Sequence, residues 1–390
     1  MNSSPQAAQK MQDVAFLYST DTWRDSVRRE MFMTWDRFVA HLSTAPQIGS
    51  LLISDALRSW PTQAALHLLG RRHPPLLPRE RPQQHVRPFR ISRRDPFDRE
   101  ALESAYASLD RQLEKAARTL SMHEPVVIVG SPFAAAYCPF QWASRVVYYA
   151  WDDWAESPPL LPWRSSILQA YERISTRGCR VCAVTGAIIE RIKPTGESLI
   201  VPNGLEPGEW QAIPSPSKWF TDIGAPVALY IGTLDSRLDL ELISDVSERI
   251  PGWVLLFVGP AVDREIADSL RRIPGVRVQE PVSRREIVGL VGAADCGIIP
   301  HRRNLLTRAM SPLKLYEYCA GGLPVVSTTV DGAHGVSDGI RFTDSPASFS
   351  ALIQESLTRG RAAEADRQQF VASNTWKSRF DAVCDFALSG

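Results

Sequence analysis

Twice along this chain, short runs of apolar residues alternate with segments of helical periodicity, and a proline-rich stretch separates the two series. A strand that is apolar at nearly every position must be buried on both faces. That condition is met in a parallel sheet covered by helices on either side. The first series predicts strands at 13–19, 49–54, 125–131, 145–151, 180–185 and 198–204, with helices at 24–42, 99–121, 163–177 and 186–192. The second predicts strands at 227–232, 253–259, 276–280, 296–300, 323–328 and 340–342, with helices at 238–249, 262–272, 284–292, 311–320 and 346–359. Between them, 205–226 has weak periodicity and reads as a connection. The expected architecture is therefore α/β: two doubly wound, Rossmann-like domains, followed by an amphipathic helix behind the Ser373-Asn374-Thr375 start signal.

A length of 390 residues agrees with two cores, because domains of roughly 100–200 residues are usual. The boundaries predicted are 1–205 and 226–372, with 206–225 as linker and 373–390 as the closing helix. In such sheets ligands bind beyond the carboxyl ends of the strands. Two facing domains are expected to open those crevices onto one cleft.

Net charge is +1, which gives no general attraction to nucleic acid, and none is expected as a partner. The charge is uneven: 71–94 holds many arginines and prolines but few acids, and reads as a surface loop region. With Trp60, Leu76, Leu77 and Phe89 nearby, it suits peripheral contact with an anionic membrane. The N-terminal residues lack an apolar core, so no secretory signal is expected. No run reaches the roughly 18 apolar residues of a membrane span. The six cysteines are scattered. Cys179 and Cys182 form a C-x-x-C without a second pair and precede a strand pattern, which reads as buried inert thiols. A cytoplasmic protein is expected, at the inner face of the membrane where the 71–94 segment makes such contact.

The most informative segment is "MSPLKLYEYCAGGLPVVST", 310–328. Ser311 is a good N-cap and Pro312 an apt first helical residue. A helix beginning there points free N–H groups at an anion such as a diphosphate. Lys314 in its first turn and Glu317 three residues on share a face. A cation beside the positive end of a helix is unfavourable unless an anion is expected. A second anion candidate is "YIGTLDSRLDLELI", 230–243. There Gly232 permits a tight turn and close backbone approach, and the loop from Thr233 leads to Arg237, suited to bidentate phosphate contact. His301 follows a strand end in the same half.

In the first half, "RVVYYAWDDWAESP" (145–158) runs from a strand into Asp152 and Asp153, flanked by Trp151 and Trp154. The carboxylates are adjacent, and no D-x-D occurs in the chain, so no metal site is expected. A catalytic base at the mouth of a cleft, between two indole rings, is the functional reading that remains.

These stretches, with "LLFVGP", "DCGIIPHRRNLLTRAMSPLKLYEYCAGGLPVVSTTV" and "NTWKSRFDAV", resemble the C-terminal half of GT-B glycosyltransferases. The likeness is to bacterial capsule, teichuronic acid and exopolysaccharide enzymes related to the family-4 group. It covers 227–328 and 373–383 well. In the first half it rests on "YYAWDDW", "VPNG" (201–204) and a loop with Trp23, Arg28 and Arg29.

The resemblance implies a nucleotide-diphosphate-sugar donor, UDP-linked, as substrate in the C-terminal domain, with no cofactor. It implies a glycan, lipid-linked or small-molecule acceptor in the N-terminal domain, with the closing helix packing back on that domain. By position, Glu317 matches the acid that bonds the ribose. Ser311, Pro312, Lys314 and Leu315 match the diphosphate site, and Gly232, Thr233 and Arg237 the loop beneath it; His301, from its place after a strand end, is read as facing the donor. Trp23, Arg28, Arg29, Trp151 and Trp154 fall to the acceptor.

The common family-4 pattern sets two glutamates eight positions apart, and the first falls here on Ala309. That departure favours the inverting, membrane-associated glucuronosyltransferase type of xanthan assembly, with Asp152 or Asp153 as base and no metal. The rivals are a nucleotide-sugar epimerase of the same fold and a non-catalytic partner subunit that binds nucleotide sugar.

Overall fold

The structure is a computed structural model that describes residues 11–61 and 73–389. Residues 1–10, which carry most of the N-terminal stretch, and Arg71 and Arg72 of the arginine-rich segment lie outside the described residues. The chain divides into two compact units, residues 1–201 with 380–390, and residues 202–379.

The first unit is built on a parallel sheet of β1 (Gln12–Leu17), β2 (Ile48–Ser54), β3 (Gln83–Val86), β4 (Val126–Val129), β5 (Arg145–Ala150), β6 (Arg180–Ala183) and β7 (Ser198–Ile200). Their order is β3-β2-β1-β4-β5-β6-β7, so the chain reverses its direction of growth between β1 and β4. β1, β2, β4 and β5 are the apolar runs of the sequence, and Val14, Phe16, Leu52, Val127 and Val147 are fully buried. β3 is the exception. Its residues "QQHV" carry no apolar alternation, and 71–94 reads as a loop region from sequence. The structure corrects this: Gln83–Val86 pairs in parallel with Leu51–Ser54 at the sheet edge. An edge strand needs only one backbone ladder and one packed face, and polar residues suit it.

A single helix predicted over 24–42 is two, Trp23–Arg28 and Thr34–Thr44. Glu30 and Met31 take left-handed φ of 55° and 58° between them. Asp36 explains the break. Its carboxylate accepts the Met33 N–H at 3.1 Å and pairs with Arg29 at 2.9 Å, capping the second helix before the first can run on.

The second unit carries β8 (Val227–Ile231), β9 (Val254–Val258), β10 (Val276–Gln279), β11 (Cys296–Ile299), β12 (Val325–Ser327) and β13 (Ile340–Phe342). All are parallel, in the order β10-β9-β8-β11-β12-β13 of a dinucleotide-type sheet. Alternate residues face two separate cores. Leu229, Ile231, Leu256 and Ile299 enter one, and Ala228, Tyr230, Phe257 and Ile298 the other. Burial on both faces is why these strands read as unbroken apolar runs. The segment 205–226 packs within this unit. Ser217 and the Trp219 indole N–H both bond Glu286 on the helix Arg284–Ala293, which Gly289 and Gly292 let it approach closely.

Candidate functional site

In the second unit the reversal point lies between β8 and β11, where a doubly wound sheet opens its ligand crevice. Gly232 follows β8 with φ of 133°, a conformation suited to glycine. Its N–H reaches the Val258 carbonyl at 3.0 Å, which continues the β8–β9 ladder to this point. A Cβ at Gly232 would stand 3.0 Å from Lys314 Nζ. Glycine here thus gives Lys314 its room.

Lys314 belongs to the helix Leu313–Ala320. The sequence places Ser311 as N-cap and Pro312 as first helical residue, and the structure moves both by one step. Pro312 occupies the cap position without a side-chain bond, and Ser311 instead accepts the Asn203 N–H at 3.3 Å. A bond from Asn203 draws Ser311 out of capping geometry, and a proline ring has no acceptor to replace it. The first-turn N–H groups therefore lack a side-chain cap.

The Lys314 ammonium is buried and lies 3.7 Å from the centre of the Tyr230 ring. It has no hydrogen bond or ion pair among the described residues. Burial, then the charge of Arg237, pushes its pKa well below the usual lysine value, against the pull of Asp235 and Glu317. The Tyr230 hydroxyl donates to the Thr233 carbonyl at 3.1 Å and lies 3.3 Å from His301 Nε2. His301 is 1% exposed, and burial with the nearby Lys314 and Arg237 keeps it neutral. With the hydroxyl given to Thr233, the imidazole proton belongs on Nε2. Nδ1 then stands as a buried acceptor without a partner.

Arg237 is paired with Asp235, its Nη2 2.6 Å and its Nε 2.8 Å from the carboxylate. Glu317 is buried and ion-paired with Arg284, which also bonds Glu209 at 2.6 Å. Leu315 is fully buried in the core and Ala309 ends a short helix. The structure thus gathers Gly232, Thr233, Arg237, His301, Lys314 and Glu317. Sequence reading missed Tyr230, because it sits in an ordinary strand pattern. It missed Arg284 and Glu209 because they join Glu317 only through folding.

In the first unit, Asp152 and Asp153 follow β5. Asp152 is partly exposed and accepts the Asp153 N–H at 2.9 Å. Asp153 is 3% exposed. It accepts the Tyr171 hydroxyl and the Ala155 N–H, each at 3.2 Å, and lies 3.7 Å from Arg191. Burial raises its pKa, partly offset by Arg191 and those bonds. Trp151 is stacked on Trp35 at 5.1 Å and edge-on to Trp154 at 6.2 Å, so the rings meet protein on the faces described. Gly130 makes room for the Trp151 ring, and a Cβ there would strike it.

Trp23 is fully buried, its N–H on Asp55 at 2.7 Å and its indole on the Pro75 carbonyl at 3.1 Å. Arg29 bridges Asp21 and Asp36, while Arg28 is exposed. A recess absent from the sequence reading lies at this unit's own reversal point, lined by Tyr18, Asp55, Asp95, Tyr106 and Ser131. Asp55 there holds His85 at 2.8 Å.

Among the described residues no three His, Cys, Asp or Glu side chains are grouped as metal ligands, and no helix is long and apolar enough to cross a membrane.

Residues 225–359 match the family described as glycosyl transferases group 1. The second unit contains a domain of that family. A Bacillus subtilis (strain 168) protein provisionally named teichuronic acid biosynthesis glycosyltransferase TuaH is 33% identical over 165 residues, 40% of this chain and 42% of its own length. The match thus spans less than half of that relative.

Solved structures extend the likeness along the chain. Sucrose-phosphate synthase from Thermosynechococcus elongatus is 13% identical with a TM-score of 0.69, over 96% of this chain and 98% of its own. An α,α-trehalose 6-phosphate synthase from Burkholderia multivorans is 13% identical with a TM-score of 0.68, over 97% and 99%. Anabaena Alr3699/HepE, solved with UDP and glucose, is 15% identical with a TM-score of 0.64, over 97% and 100%. The glycosyl transferases group 1 domain thus sits in a chain of the GT-B fold, as the resemblance of its motifs implies, and the apolar alternation predicts the doubly wound sheets.

Proposed function

We propose that the protein transfers a sugar from a UDP-sugar to an acceptor hydroxyl in the assembly of a surface polysaccharide or glycoconjugate. The observation that carries this reading is Lys314, a buried ammonium that meets a phenol face where a diphosphate would sit. Such a cation is costly until an anion arrives. Its place in the glycosyl transferases group 1 domain, a relative named for teichuronic acid biosynthesis and a HepE structure holding UDP and glucose support the choice of donor.

On this reading, Lys314, Arg237 and the uncapped N–H groups of the helix Leu313–Ala320 take the diphosphate, and Glu317 takes the ribose. The first unit takes the acceptor, with Trp151 and Trp154 shaping the ground around Asp152 rather than stacking as open platforms. Asp152 removes the hydroxyl proton as the oxygen bonds to the anomeric carbon. The bond from that carbon to the diphosphate breaks, and UDP leaves with the electron pair. Displacement from the opposite side inverts the anomeric centre. Lys314 and Arg237 balance the leaving charge without a metal.

Thermal unfolding against a nucleotide-sugar panel tests the donor. Ligand at a hundredfold over its Kd stabilises by about 2.7 kcal/mol, and UDP-sugars are expected to shift the midpoint most. UDP release with a glycan or polyprenol-linked acceptor, unaffected by EDTA, then tests transfer. No shift with any nucleotide sugar would sink the reading. Tight binding without release for any acceptor would identify a partner subunit, and release of nucleotide with no acceptor an epimerase.

A further inference from the structure

We propose that Arg284, anchored by Glu209, is a positioning residue that fixes the Glu317 carboxylate for the ribose of the donor. The inference rests on the donor reading above and assigns residues that reading does not use.

Three separated parts of the second unit meet here. Glu209 comes from the short helix Pro207–Trp210 in the segment that reads as a linker. Arg284 opens the helix Arg284–Ala293, and Glu317 lies on Leu313–Ala320. Arg284 donates to Glu209 Oε2 through Nε at 2.9 Å and Nη2 at 2.6 Å, and to Glu317 Oε1 through Nη1. Its guanidinium also lies 5.6 Å from the centre of the Trp210 ring. Two edges of the planar group are spoken for and one face is covered, so it cannot turn without losing several contacts at once.

The consequence falls on Glu317. Its carboxylate is bonded through one oxygen, Oε1, and its rotamer is set by a neighbour that is itself fixed. Oε2 carries no hydrogen bond among the described residues, which leaves an acceptor oriented for a ligand hydroxyl. The charges are consistent with this division. One guanidinium between two carboxylates leaves the trio net negative. It attracts hydroxyl donors and leaves the diphosphate to Lys314. Burial works against the Arg284 charge, and the two carboxylates outweigh it and raise its pKa.

The test is a comparison of two ligands across three proteins. Calorimetry measures the affinity of the wild type, Arg284→Met and Glu209→Gln for UDP and for its 2′,3′-dideoxy form. A charged hydrogen bond to the ribose predicts that the wild type loses about 10- to 100-fold on removal of the hydroxyls. Arg284→Met is expected to shrink that penalty to within about threefold, because an unheld carboxylate gains little from the ribose. Glu209→Gln keeps the shape and should move the same way by a smaller step.

A general loss of stability would weaken both ligands alike and leave the ratio unchanged. If Arg284→Met does not fold, Glu209→Gln decides alone. A full penalty retained in the folded variants overturns the inference while the donor reading stands. A wild type that binds no UDP defeats the donor reading itself. A wild type that binds UDP without any penalty removes Glu317 from the ribose, and Arg284 with it.

Discussion

The ammonium of Lys314 rests 3.7 Å above the Tyr230 ring, a contact that holds a buried charge where its usual partner would be an anion. Cation–π attraction is worth a kilocalorie or two per mole. It does not restore full hydration, and the lysine pKa accordingly falls well below its ordinary value of 10.5. Between the lowered native value and 10.5 the unfolded chain binds more protons than the native one, so the stability of the empty protein rises with pH across that window.

Binding of a diphosphate reverses the preference, because it favours the charged amine. UDP binding at alkaline pH, where the diphosphate is fully ionised, is therefore expected to take up protons. Calorimetry in two buffers of different ionisation heat reads this directly. Lys314→Met should abolish the uptake and weaken UDP by about 10- to 100-fold. Equal proton uptake in that variant would place the titrating group elsewhere.

Gly232 supplies the space that Lys314 occupies, and its backbone is left-handed as well. Gly232→Ala should thus lose stability, by about 1–3 kcal/mol for the backbone, and lose UDP affinity besides, since its methyl presses on Lys314. Gly252 is the control. Its φ is 93°, and a Cβ there meets nothing within 4 Å. Gly252→Ala should lower the unfolding midpoint and leave UDP binding within twofold of wild type. An unchanged UDP affinity in Gly232→Ala would remove this loop from the anion site.

The arginine-rich segment divides into two populations. Arg79 and Arg81 donate to the Ile48 carbonyl at 2.8 Å and 2.7 Å and fasten the edge of the first sheet. Arg87, Arg93 and Arg94 are exposed, and so are Trp60, Phe89, Ile91 and Phe97, with Ile91 at 89%. Basic and apolar side chains on and flanking one short ribbon (Arg58–Ser59 paired with Phe89–Arg90) fit an anionic bilayer surface, at about 1 kcal/mol per arginine. The protein should float with vesicles containing phosphatidylglycerol and much less with neutral ones. Reversal of Arg93 and Arg94 to glutamate should reduce flotation about tenfold or more. Equal flotation on both vesicle types would rule out the electrostatic part.

Much of this was legible in the residues, for a physical reason. Strands buried on both faces must be apolar throughout, so β1, β2, β4 and β5, with the strands of the second sheet, show plainly. β3 does not, because an edge strand draws on its neighbour's backbone and asks little of its own side chains. The break at Glu30 depends on Asp36 reaching back to Arg29, a contact between residues that a single helical period treats as one segment. In the cluster around Lys314, that residue and Glu317 stand out through helical spacing. Their partners Tyr230, Arg284 and Glu209 come from distant segments, and local pattern carries no trace of such contacts. Trp151 and Trp154 look like open platforms in the sequence, and only packing of Trp151 against Trp35 and Gly130, and of Trp154 against Trp151, shows where their rings are used.

Asp152 and Asp153 are adjacent in the chain and unlike in the fold. Burial raises the affinity of Asp153 for a proton, which suits a base, but its Oδ1 accepts from both Tyr171 and Ala155, its Oδ2 faces Arg191, and it is 3% exposed. Asp152 is the more accessible of the two. An acceptor hydroxyl must come within hydrogen-bond reach of its base, so access decides between them. Asp152→Asn is therefore expected to bind UDP-sugar normally and to lose transfer by about a hundredfold or more. Asp153→Asn should leave a buried network short of its charge and cost about 1–3 kcal/mol of stability, with any loss of rate following the loss of folded protein. UDP-release assays and thermal unfolding on the two variants separate these outcomes. Near-normal turnover in Asp152→Asn, with turnover abolished in a stably folded Asp153→Asn, would transfer the role of base to the buried residue.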